Sequence, residues 1–203
     1  MEHHPICLTS HELLGILTLT PEKLPDVMLD NMKLDESQIL TLNQPSRLFP
    51  WRTLYSNLKL ALSYSGKEVE NPAEYLHDKL KDFGLLECQH QYPHQISPVM
   101  QYRASLLFIL LLEPSVIHFS YTFDDMEPET QLQCIRFTRE KLLETKQPAI
   151  LFSRQLLPVL HFSDQLLLWE YHTTPISIER RKAKDFLPCN YNQVHRFLSV
   201  NSQ

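Results

Sequence analysis

Short apolar runs recur along the chain at Gly15 to Leu19 (GILTL), Gln38 to Leu42 (QILTL), Val116 to Phe119 (VIHF), Ala149 to Ser153 (AILFS) and Leu166 to Trp169 (LLLW). They alternate little with polar residues, which is the pattern of parallel strands covered on both faces. Between them Leu76, Leu80, Phe83 and Leu86 keep a helical period. So do Leu132, Ile135, Leu142 and Leu143, in a stretch dense in charge. The run Ala104 to Leu112, broken only by Ser105, is about half the length a membrane-spanning helix requires and predicts a core helix. Pro72, Pro98, Pro114, Pro128 and Pro148 stand where helices begin or strands are about to start. This alternation predicts a three-layer α/β domain with a mainly parallel sheet over residues 1–175. A C-terminal extension, 176–203, follows with a short helix at Val194 to Val200.

Composition narrows the possible chemistry. The 203 residues suit one sizeable core, and a net charge of -5 argues against a general affinity for nucleic acid or anionic lipid. The basic run Glu179 to Lys184 reads as a solvated face. MEHHPICLTS lacks the basic start and apolar run of a secretory signal, so a cytoplasmic location is expected. Cys7, Cys88, Cys134 and Cys189 show no metal or redox spacing. Cys88, His90 and His94 form a C-x-H-x3-H pattern without an evident fourth ligand, and no metal is predicted. A glycine-flanked serine elbow is absent, which speaks against acyl transfer. Glycine occurs only at positions 15, 66 and 84, whereas a loop that wraps phosphates needs several together for its dihedrals and close approach.

Three segments in order carry a family resemblance. The first is Gln44-Pro45-Ser46-Arg47-Leu48-Phe49-Pro50-Trp51-Arg52-Thr53, followed by Asn57. The second is Tyr92-Pro93-His94-Gln95-Ile96-Ser97-Pro98-Val99-Met100-Gln101-Tyr102-Arg103. The third runs from Leu111-Leu112-Glu113-Pro114-Ser115-Val116-Ile117 to Thr122-Phe123-Asp124-Asp125-Met126-Glu127, with Ala149 to Leu156 downstream. Together they resemble the Q-loop, signature and Walker B segments of the ATP-binding cassette (ABC) ATPases, particularly those of nitrate and sulfonate importers. Matching order and spacing over roughly residues 12–170 is more specific than any one motif. The resemblance implies a P-loop NTPase-like α/β fold with a reduced N-terminal β-subdomain, because Lys23 and Gln44 stand closer together than is usual in that family.

The resemblance also maps departures. The Walker B aspartate falls on Ser120, the catalytic glutamate on Tyr121, the D-loop aspartate on Glu127 and the switch histidine on Arg154. Thr18 to Pro25 stands where the phosphate loop should be, with no glycine. In the signature, Pro98 deletes an N–H and Val99 adds a branched side chain where the family has glycines. Asp124 and Asp125 are expected to open a loop and cap the helix after Pro128. These departures predict a pseudo-ATPase that is no enzyme, holds no cofactor, does not homodimerise and acts as an adaptor in a transport or secretion complex. It would sit in the cytoplasm, reaching the inner membrane only through partner subunits. The alternative is a degenerate half of a heteromeric transport ATPase. Leu48, Phe49, Trp51 and Arg52 are the candidate protein-binding surface, in competition with simple packing of that corner.

Overall fold

The computed structural model describes residues 13–18, 39–43, 47–168 and 176–179. The chain divides into two compact units: residues 1–43 with 115–203, and residues 44–114.

The first unit is built on a six-stranded sheet of order β2-β3-β4-β1-β5-β6. Its strands are β1 (Leu13–Leu17), β2 (Ile39–Leu42), β3 (Val116–Ser120), β4 (Ala149–Ser153), β5 (Gln165–Leu168) and β6 (Ile176–Glu179). All neighbours are parallel except β5 and β6. Each of the five apolar runs therefore contributes a strand, as their lack of alternation predicts. Every residue of β1 and β4 is buried, as for central strands covered on both faces. β1 starts two residues before the predicted run, because Leu13 and Leu14 are equally buried. β6 is a strand that the hydrophobic pattern does not announce, and it carries the sheet past Pro175, where the α/β domain is expected to end. The helix expected at 194–200 lies outside the described residues, as do residues 19–38, on which the reduced β-subdomain depends.

Alternate residues of the strands form two cores. Leu14, Ile16, Val116, Ile150, Phe152 and Leu167 pack together, with Ile39 and Tyr121 against them. On the other face Gly15 lies beneath the segment that begins the turn into β5. A Cβ at position 15 would collide with Val159 and come within 2.7 Å of the Ser163 hydroxyl. The missing side chain thus lets a helix lie directly on β1.

The short helix is Leu156–Phe162 and the longer one before β4 is Pro128–Thr145; numbered in chain order after the three helices of the second unit, they are α5 and α4. Helix α5 packs on β1 and β4, and α4 packs on α5. The buried face of α4 is Gln131, Cys134, Ile135, Thr138, Lys141 and Leu142. Leu143, expected on that face, is 46% exposed: it follows Leu142 by one residue, about 100° around the helix.

The second unit is helical. It contains α1 (Leu54–Tyr64), α2 (Pro72–Asp82) and α3 (Pro98–Leu111), with single 3-10 turns at Leu86–Cys88 and Pro93–Gln95. Helix α1 packs on both α3 and α2. Each helix starts on a side chain that accepts from an otherwise orphaned N–H: Thr53 from Ser56, Asn71 from Glu74, and Ser97 from Met100. Pro72 and Pro98 occupy first helical positions, where the absent N–H costs nothing. Helix α3 carries little polarity on any side, and Tyr102, Ala104, Leu106, Leu107, Ile109 and Leu111 are all buried.

Candidate functional site

In the first unit, the carboxyl ends of β3, β4 and β1 lie side by side. The Tyr121 N–H donates to the Phe152 carbonyl at 3.0 Å, and the Thr18 N–H to the Ser153 carbonyl at 3.1 Å. Open parallel sheets bind ligands beyond this edge. Three of the positions singled out from sequence meet here. Ser120 is the half-buried last residue of β3. Tyr121 follows it with φ 53°, a left-handed conformation that costs a non-glycine residue about 1–2 kcal/mol. Its ring meets Phe152 edge-on at 6.5 Å, and the Arg154 guanidinium lies over it, 5.4 Å from the ring centre. That contact is a cation–π geometry.

The centre of this arrangement is Asp124, whose side chain is only 1% exposed. It does not cap α4, contrary to the expectation from sequence. Glu127 holds the N-cap position of α4, without a side-chain cap bond. Asp124 instead turns inward, because three donors there compensate its burial. Its carboxylate accepts from the Ser153 hydroxyl at 2.6 Å, the Arg154 N–H at 2.9 Å and Arg154 Nε at 3.2 Å. Gln155 Nε2 donates to the Asp124 carbonyl at 2.9 Å. Gln131 Nε2, on α4, reaches both the Phe123 carbonyl at 2.8 Å and Gln155 Oε1 at 3.0 Å. Arg154 also faces the exposed Asp125 at 3.7 Å. The doubled Asp124-Asp125 was the only sequence signal for this network.

His118, in β3, is buried. Its Nδ1 lies 3.3 Å from the Thr41 hydroxyl, its ring meets Phe152 edge-on at 4.8 Å, and burial lowers its pKa to about 4. Nε2 has no hydrogen-bond partner.

In the second unit, Asn57 organises the segment that carries the candidate surface. Its Oδ1 accepts from the Phe49 N–H at 2.7 Å, and its amide protons are shared among the carbonyls of Phe49, Arg52 and Thr53 at 3.0–3.2 Å. The four candidate residues divide. Leu48 is buried, and Phe49 is half-buried against Phe108 with ring centres 6.5 Å apart. Trp51 stands 70% exposed above Phe49 at 5.4 Å, and Arg52 NH1 lies 3.4 Å from the Ser56 hydroxyl. Leu48 and Phe49 thus pack the corner, while Trp51 projects from it.

At the signature-like turn, the Ser97 hydroxyl accepts from the Met100 N–H at 3.3 Å, Pro98 is the first helical residue, and Val99 is half-buried. Cys88 contacts the Met100 sulfur at 3.8 Å, and His94 stacks on Tyr92 at 5.7 Å. Among the described residues no three His, Cys, Asp or Glu side chains gather where they could share a metal ion. Gln44 and the Lys23 region lie outside the described residues.

No family model matches the chain. Curated relatives do. YtlC of Bacillus subtilis, an uncharacterized ABC transporter ATP-binding protein, is 26% identical over 134 residues, covering 66% of this chain and 52% of YtlC. The aliphatic sulfonates import ATP-binding protein SsuB of Burkholderia thailandensis is 24% identical over 145 residues, covering 70% of this chain and 42% of SsuB. Among solved structures, CbiO1 of Clostridium perfringens, part of the ABC transporter complex CbiONQ, superposes with a TM-score of 0.68 at 12% identity, over 96% of this chain and 86% of CbiO1. The chain is an ABC ATPase-like domain. It is related to ABC transporter ATP-binding proteins, and it spans about half the length of these curated relatives or less.

The ABC-like α/β fold expected from the motifs is thus observed. The expectation that the chain is no enzyme is overturned, because its relatives are ATP-binding proteins of ABC transporters. Among the described residues no helix is long and apolar enough to cross a membrane.

Proposed function

We propose that this ABC ATPase-like domain acts as one half of a heteromeric transport ATPase, pairing with a second, different cassette. The observation that carries the reading is its relationship to the ATP-binding proteins of ABC transporters, along a chain that keeps Q-loop-like, signature-like and Walker-B-like segments in order. Ser120, Tyr121 and Arg154 depart from the family pattern at the carboxyl edge of the sheet, so this half and its partner make unequal contributions to the shared nucleotide sites. An unequal pair also removes the reason for a homodimer.

Trp51, exposed above Phe49, gives the helical unit an aromatic contact for a membrane-embedded subunit, with Arg52 at its edge. That contact would hold the chain at the cytoplasmic face of the membrane through its partners.

The test is sedimentation of the chain with the intact cassette recovered alongside it from native cells, with and without Mg-ATP, together with measurement of ATP turnover by the mixture. Pairing that requires ATP and raises turnover is the expected result. Association that ignores nucleotide and leaves turnover unchanged refutes the transport-ATPase half and favours an adaptor.

A further inference from the structure

We propose that Asp124 joins the segments 121–127 and 153–155 into one rigid piece, so that displacement of the first carries Arg154 with it.

The argument starts from burial. A carboxylate that is 1% exposed requires donors, and Asp124 has three. Two of them belong to the end of β4: the hydroxyl of Ser153, the last residue of that strand, and the backbone N–H of Arg154, which follows it. The third, the Arg154 guanidinium, belongs to a side chain that is 48% exposed, and its other acid, Asp125, is 95% exposed. The Arg154–Asp125 pair is exposed at both ends and contributes little, and the Nε contact to Asp124 is the longest of the three at 3.2 Å, against 2.6 Å for the hydroxyl and 2.9 Å for the backbone N–H. The clamp is therefore the carboxylate on backbone and hydroxyl, with the salt bridge as an accessory.

A second tie reinforces the first. The Gln155 amide donates to the Asp124 carbonyl, and Gln131 bonds both Gln155 and the Phe123 carbonyl, so each segment is also tied to α4. Within 121–127, the N–H groups of Asp124 and Met126 donate to the carbonyls of Tyr121 and Phe123 at 3.1 Å, which keeps that loop from flexing about Asp124. Arg154 is thus held at its backbone, and its guanidinium is the movable tip, resting on Tyr121.

Hydrogen exchange on the full chain without nucleotide, read in peptides covering 121–127 and 153–155, tests the clamp. Asp124→Ala is expected to speed exchange in both segments by about tenfold or more, while Arg154→Ala leaves both within about twofold. If Arg154→Ala loosens the segments as much as Asp124→Ala, the guanidinium is the fastener and the proposal fails. It fails equally if Asp124→Ala frees one segment and not the other. Should Asp124→Ala not fold, Asp124→Asn keeps one acceptor and is expected to give an intermediate rise in both segments; wild-type exchange in that variant would overturn the clamp. A clamp that holds in a chain that never pairs with a cassette would refute the functional reading alone.

Discussion

His118 shows what one residue can do to the whole chain's response to pH. Burial holds the folded imidazole's pKa at about 4, against an ordinary value of 6.5. As pH falls through that window the unfolded chain takes up a proton that the folded chain refuses, so stability is lost between about pH 6.5 and 4. A difference of this size amounts to roughly 3 kcal/mol by the lower end. Denaturation midpoints at pH 7 and pH 4.5 should therefore differ more in the wild type than in His118→Leu. An identical pH dependence in the two proteins would show that His118 does not carry this loss. Asp124 marks the limit of reading residues singly. Its neighbours Asp125 and Glu127 are exposed, and nothing local separates it from them. Its partners Ser153 and Arg154 stand about thirty positions away and are adjacent only because β3 and β4 pair.

Elements followed from sequence where one periodicity governed them. The all-apolar runs became buried parallel strands, and the Ser97-Pro98 start of α3 has the cap and first-turn residue its sequence implies. The candidate surface before α1 was less legible, because an aromatic pair reads alike whether it packs or projects. Asn57 decides the matter: fully buried, it grips the backbone of Phe49, Arg52 and Thr53 and so fixes how Trp51 stands. Asn57→Ala would leave several buried polar groups unpaired and is expected to cost about 2–4 kcal/mol. Trp51→Ala should change stability by less than about 0.5 kcal/mol, since the ring is largely in solvent. Urea unfolding of the two variants tests the contrast. Equal losses would mean that Trp51 is part of the packing after all.

Across the whole molecule, the two units differ in how sequence builds them. The helical unit, 44–114, is one continuous segment, whereas the sheet unit is assembled from the chain on either side of it. Its edge depends on β6, which pairs antiparallel with β5. A chain ending at Pro175 leaves β5 as an open edge, and it is expected to melt several degrees lower and to aggregate more readily on heating. An unchanged melting temperature and solubility would place the end of the folded sheet at the boundary expected from sequence. The parallel α/β architecture and the family likeness are legible along the chain alone, because apolar runs, caps and motif order are local properties that survive in one dimension. That Asp124 turns inward, that Trp51 projects while Leu48 packs, and that a sixth strand extends the sheet beyond β5 are set by the folded chain. Each of those depends on which distant backbone groups are brought within hydrogen-bond reach, and sequence spacing does not encode that distance.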